Sequence, residues 1–118
     1  MQPLPLVYVA GPYRASTLLG VRRNIQRAME LGANVARWGA MPVIPHSNTP
    51  VEFTDIKDAD FWLDGTLNLM LACDAVVLVE YWQSSSGAKN EIAVAKKNDM
   101  PVFEKWLDLV KWIDAWRP

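Results

Sequence analysis

Cysteine and histidine are almost missing from this chain: in 118 residues, Cys73 and His46 are the only examples of each. A single cysteine excludes an internal disulfide and points to a reducing compartment. One histidine and one cysteine cannot furnish a zinc shell, so no metal and no cofactor are expected. Excess charge is missing too. Twelve basic residues against thirteen acidic ones leave a net charge of −1, without the basic footprint of a DNA- or RNA-binding protein and without a block of like charge that would read as a tail. No apolar run approaches the length of a membrane span. The opening Met1-Gln2-Pro3-Leu4-Pro5-Leu6 lacks the basic region and cleavage pattern of a signal peptide. No Gly-x-Ser-x-Gly elbow is present, which leaves a serine hydrolase unsupported. The expectation is a cytoplasmic protein that binds neither nucleic acid nor membrane.

What is there fits one compact domain spanning residues 1–118, large enough for a real core. Hydrophobic residues make up 51% of the chain, an ordinary share for a globular fold. Tryptophan is in excess: Trp38, Trp62, Trp82, Trp106, Trp112 and Trp116. A small domain has limited interior for so many large rings, so some are expected at a subunit interface or along a pocket.

Strand and helix signals alternate. Leu6–Ala10 is a short apolar run ending at Gly11-Pro12, the pattern of a buried parallel strand. From about Thr17 to Trp38, Leu18, Val21, Ile25, Ala28, Gly32 and Val35 recur at helical spacing, while Arg22, Arg23, Gln26, Arg27 and Glu30 occupy other faces. Gly39 ends that helix. Met41–Pro45 is a second strand. His46 to about Asp58 is rich in turn formers and predicts a long irregular loop, a common home of function. Asp60–Ala72 predicts a helix with Phe61, Leu63, Leu67 and Leu71 as core contacts. Asp74–Val79 is the strongest strand, Gln83–Gly87 a serine-rich loop, Ala88–Asn98 a helix and Pro101–Phe103 a last strand. Lys105–Trp116 closes the chain as a helix with Trp106, Leu109, Val110, Ile113 and Trp116 on one stripe. This order predicts an α/β fold, a Rossmann- or flavodoxin-like three-layer sandwich around a mostly parallel sheet of four to five strands. Ligands bind such sheets beyond the carboxyl ends of the strands. Gly11–Thr17, His46–Asp58 and Trp82–Glu91 therefore converge on one edge.

Each of these segments has a chemical and a bland interpretation. Gly11 and Arg14, followed by Ser16 and Thr17 at a helix start, can hold an anion with backbone amides and a guanidinium; they can equally be a turn, a solvated charge and a helix cap. Ser84-Ser85-Ser86-Gly87 offers a second set of donors before a helix. Glu91 lies about a turn into that helix, where it can project toward the strand ends or serve a neighbouring serine as a capping partner. His46 follows the second strand on the same edge. Cys73, at a helix-to-strand join, has the setting of a packed, inert thiol. Asp74, at the start of a strand far from that edge, has a structural setting.

The pattern Tyr8-x-Ala10-Gly11-Pro12-Tyr13-Arg14, then Cys73-Asp74-Ala75-Val76, then Trp82-x-x-Ser85-x-Gly87-Ala88-x-x-Glu91 resembles the nucleoside 2-deoxyribosyltransferase superfamily, over roughly Leu6 to Val102. Its enzymatic relatives include 2'-deoxynucleoside 5'-phosphate N-hydrolases. The resemblance implies that Glu91 is a nucleophile, that Tyr8 helps to position it, that Gly11 and Arg14 form a first phosphate-binding loop and that Ser85 and Gly87 form a second. It also implies a homodimer or larger homo-oligomer with sites completed across the interface. The family's usual aspartate on the helix before the strongest strand falls near Thr66 in this chain. The nearest carboxylates are Asp64 and Asp60; residues two apart on a helix point to different faces, so Asp64 takes the acid role only through a one-residue shift or a bulge.

The implied activity is cleavage of the N-glycosidic bond of a nucleoside 5'-monophosphate. The sugar passes through an oxocarbenium-like state that the Glu91 carboxylate stabilises and traps as an ester. Water then completes hydrolysis; a second base would make the enzyme a transferase. Arg14 favours nucleotide over nucleoside, and Tyr13, Trp62 and Trp82 are candidates to stack on the base. Two other expectations stand beside this one. A non-catalytic nucleotide-binding module would have the same fold and no working acid. A flavodoxin-like FMN carrier would be yellow.

Overall fold

The computed structural model describes residues 1–48 and 55–118. Four strands, β1 (Leu6–Ala10), β2 (Met41–Val43), β3 (Ala75–Leu78) and β4 (Val102–Phe103), form one sheet in the order β2-β1-β3-β4. Every neighbouring pair is parallel, with Leu6 opposite Met41, Tyr8 opposite Val76 and Val77 opposite Phe103. The helices are α1 (Leu18–Arg37), α2 (Pro45–Asn48), α3 (Ala59–Leu71), α4 (Ser86–Lys97) and α5 (Trp106–Ala115).

Side chains alternate across a strand, and this sheet is covered on both sides. Val7, Val9, Val77 and Val79 point to one face, where Ala28 and Val35 of α1 and Leu109 and Ile113 of α5 complete the core. Tyr8, Ala10, Val76 and Leu78 point to the other, against Met70 of α3 and Ile92 and Ala95 of α4. The result is the α/β three-layer sandwich that the alternating signals predict.

Local chemistry sets the element ends. The Thr17 hydroxyl caps α1 by accepting from the Gly20 amide, and the Asp58 carboxylate caps α3 by accepting from Phe61. Gly39 has φ +96°, a left-handed turn after α1 that favours glycine. The Ser85 hydroxyl accepts from the Ala88 amide, so α4 starts at Ser86 rather than Ala88. The Asp74 carboxylate accepts the Leu6 amide at 2.7 Å, which fixes β1 against the start of β3 and gives Asp74 its structural role.

Three expectations need correction. The chain after β2 is not irregular from His46: Pro45 occupies the first position of the short helix α2, where its missing N–H costs nothing. Positions 49–54 of the expected loop lie outside the described residues. On α3, Phe61, Leu63 and Leu71 are exposed; Leu67 packs against the core as expected, and Met70 takes the buried place. Leu18 is exposed as well, while Asn24 takes a buried place on the α1 stripe.

Candidate functional site

Parallel strands all release their chains at the same edge of the sheet. Here β1 lies between β2 and β3, so the chains leaving β1 and β3 turn to opposite faces and open a crevice between them. A cleft of about 1220 Å³ occupies this position. Its walls are the Gly11–Ala15 segment after β1, Pro45 and His46 after β2, Trp62, Leu63, Thr66 and Leu67 of α3, and Tyr81 with Ser84–Glu91 after β3. Gly11, Arg14, His46, Ser85, Gly87 and Glu91, singled out by sequence on separate segments, all line it.

Tyr8 lies beneath the cleft. The strand parity that sends Val7 and Val9 to α1 sends Tyr8 to α4, where its hydroxyl donates a short hydrogen bond to the Glu91 carboxylate. Both residues are buried, Tyr8 wholly and Glu91 to 9% exposure. Burial raises the Glu91 pKa to about 7, and the Tyr8 bond pulls against that rise. Burial and the neighbouring carboxylate raise the Tyr8 pKa far above its ordinary value, so the phenol stays a donor. Glu91 is no capping-box partner. Ser85 is the N-cap of α4, and Glu91 lies six residues beyond it, past the first turn.

The first loop is held from below. Gly11 is buried beside β3, and a Cβ there would stand 2.4 Å from the Cβ of Val79, so only glycine fits. Arg14 is exposed at the cleft wall. Asn24, which sequence reasoning missed, donates its amide to the carbonyls of Tyr13 at 3.1 Å and Arg14 at 3.3 Å. Its Oδ1 accepts from Arg27 at 3.2 Å, and the Arg27 guanidinium stands 4.9 Å over the Tyr81 ring. Tyr81 has φ +71°, a left-handed backbone uncommon for a residue with a side chain. One polar chain thus joins the loop after β1 to the loop after β3. A signal existed in the sequence: Asn24 lies four residues before Ala28, on the apolar stripe of α1, where a polar side chain needs an interior partner.

His46 is 7% exposed. Its Nε2 lies 2.9 Å from the Pro12 carbonyl, and its ring packs 5.7 Å from that of Tyr13. Burial lowers its pKa, so the ring is neutral near pH 7. Thr66 lines the cleft, its hydroxyl donating to the Trp62 carbonyl at 2.7 Å.

Two placements depart from expectation. Asp64 is exposed and does not line the cleft. The helix α3 runs unbroken from Ala59 to Leu71, so no shift or bulge turns Asp64 into Thr66's position. Trp82 does not line the cleft either. The left-handed turn at Tyr81 puts the tyrosine at the cleft, while Trp82 packs toward the α3–α4 core and borders a second cavity of about 620 Å³, near Glu80 and Glu104. Cys73 is half-buried, donates toward the Leu69 carbonyl, and has its thiol pushed up to about 11 by burial, which leaves it unreactive. Among the described residues, no group of three or more His, Cys, Asp or Glu could hold a metal ion. Among the described residues, no helix is long and apolar enough to cross a membrane.

The family model described as a domain of unknown function (DUF7768) matches residues 5–105 of this chain. No curated protein matches it.

Proposed function

The chain belongs to the DUF7768 family, and we propose that it cleaves the N-glycosidic bond of a nucleoside 5'-monophosphate with Glu91 as nucleophile. The observation that carries this is the Tyr8–Glu91 pair, a buried carboxylate with one phenolic donor, opening into a cleft between two loops suited to a phosphate. A carboxylate with a pKa of about 7 is ionised in a substantial fraction of molecules at neutral pH, and its limited hydration favours attack on a cationic sugar carbon. The amides at the start of α4 and the exposed Arg14 offer donors for a dianionic phosphate on either side of the carboxylate.

Ionised Glu91 forms a bond to the anomeric carbon as the bond to the base nitrogen breaks. The base leaves with that electron pair and takes a proton from solvent in the open cleft. Water then attacks the anomeric carbon of the glycosyl ester and loses a proton. Sugar 5-phosphate leaves and the carboxylate is restored. Transfer of the sugar to a second base uses the same ester. The exposed apolar side chains of Phe61, Leu63 and Leu71 on α3 support a homo-oligomer. The protein acts in the cytoplasm on a small molecule, without metal or cofactor.

Thr66 favours a second reading, a non-catalytic nucleotide-binding module, because a hydroxyl stands where the resembling family carries its aspartate. Incubation with a panel of nucleoside monophosphates separates the two. Release of free base that vanishes in Glu91→Gln supports the glycosidase. Equal release from the variant removes Glu91 from its role, and saturable binding without release supports the module.

A further inference from the structure

Two buried polar atoms in the described structure have no hydrogen-bond partner, His46 Nδ1 and Trp62 Nε1, and both residues line the cleft. Buried polar groups are almost always paired, so each such atom calls for a reason. Their chemistry is complementary. A carbonyl only accepts, so the contact with Pro12 puts the proton of a neutral His46 on Nε2 and leaves a lone pair on Nδ1. The indole nitrogen of Trp62 can only donate. Both nitrogens are closed to water, so the wall behind the cleft holds one unused acceptor and one unused donor. A dianionic phosphate or a sugar ring oxygen cannot answer the acceptor, since neither carries a hydrogen; a sugar hydroxyl can, and the base-free sugar phosphate is the control for it. A nucleobase can answer both, because its edge carries N–H groups beside carbonyl or ring-nitrogen acceptors.

We propose that His46 Nδ1 and Trp62 Nε1 read the base. His46 accepts from a base N–H, and Trp62 donates to a base carbonyl or ring nitrogen. This deepens, and rests on, the proposal that the cleft takes a nucleotide. The ligand class is a nucleoside 5'-monophosphate whose base offers both a donor and an acceptor; the base-free sugar phosphate fills the remainder of the site.

The test is calorimetric titration of the full chain with dAMP, dCMP, dGMP, dTMP and 2-deoxyribose 5-phosphate, repeated with Trp62→Phe and His46→Phe. Trp62→Phe keeps an aromatic ring, removes the N–H and leaves the Pro12 contact untouched. The expected result is at least one nucleotide bound about a hundredfold tighter than 2-deoxyribose 5-phosphate, with each variant cutting that ratio about tenfold. Affinity for 2-deoxyribose 5-phosphate itself stays unchanged in Trp62→Phe. An unaltered ratio in Trp62→Phe overturns the proposal, as does an equal loss of base-free binding in both variants. Base release by wild type alongside an unaltered ratio defeats this inference alone. A base-dependent ratio without base release supports it while defeating the glycosidase. No binding of any nucleotide defeats both.

Discussion

The Tyr8 hydroxyl donates to the Glu91 carboxylate across 83 positions of sequence, from the floor of the sheet to the second turn of a helix. Glu91 gains one strong donor and loses most of its water. The balance leaves its pKa near 7, with burial the larger effect. Every prediction about rate and pH follows from this pair or from what holds the loops around it.

In the proposed mechanism only ionised Glu91 attacks, so the rate of base release should rise as pH passes about 7. Tyr8→Phe removes the bond that lowers the Glu91 pKa, so the rising limb should move to higher pH. At pH 7 the rate should fall by roughly ten- to a hundredfold, the worth of a hydrogen bond to a charged group. A pH–rate profile of both proteins checks this. A limb that stays in place would mean that Tyr8 does not act on Glu91.

Glu91→Gln should reduce base release on the order of a thousandfold or more and should also stabilise the fold at alkaline pH. In the unfolded chain a glutamate ionises near 4.5, whereas in the fold Glu91 holds its proton to about 7. Between these values the folded state binds more protons, so stability falls as pH rises and the full cost is present above about 7. A neutral glutamine escapes that cost, worth up to about 3 kcal/mol. The variant should melt higher than wild type at pH 8, by on the order of 10 °C, with the difference closing toward pH 4. Thermal denaturation at the two pH values measures it.

Asn24→Ala should loosen the Tyr13 and Arg14 backbone without touching Glu91. The expected outcome is a KM for the nucleotide raised by about tenfold or more, with kcat changed much less, since the loss falls on substrate holding. Steady-state kinetics separates the two. A fall in kcat alone would refute the positioning role.

Gly11→Ala should destabilise the fold by roughly 1–3 kcal/mol through overpacking against β3. The closest atom is the Cβ of Val79 at 2.4 Å, with its Cγ2 at 2.7 Å. A second change, Val79→Ala, removes Cγ2 but keeps Cβ and should therefore rescue only in part. Denaturant unfolding of the single and double variants tests the contact.

The order of strands and helices was legible because the inner strands are unbroken apolar runs and α1, α3 and α4 carry capping residues at their starts. Val76 and Tyr8 needed no neighbour to declare themselves buried. Six candidate site residues could be gathered on one edge for the same reason, since parallel strands fix which loops meet. Legibility failed where two residues one or two apart compete for a face. Thr66 and Asp64 differ by 200° around a helix, and only the unbroken turn of α3 decides between them. Tyr81 and Trp82 exchange places because of a left-handed backbone that tyrosine composition does not announce. Asn24 and Arg27 were hidden by a different cause. Their roles lie in bonds to backbone carbonyls and to a ring from distant segments, and no local pattern encodes such partners.

The parity of β1 has a further consequence. Tyr8 faces α4 only because it stands at an even position in a strand whose odd positions face α1 and α5. Slipping the strand by one residue against its neighbours would exchange the two sets and send the phenol to the far layer. Glu91 would then lose its donor although both side chains remained in the chain. The pair thus acts as a frame marker for the sheet: a chain that folds with β1 slipped by one residue can keep its helices and much of its compactness, yet it folds without the one contact on which the proposed chemistry depends.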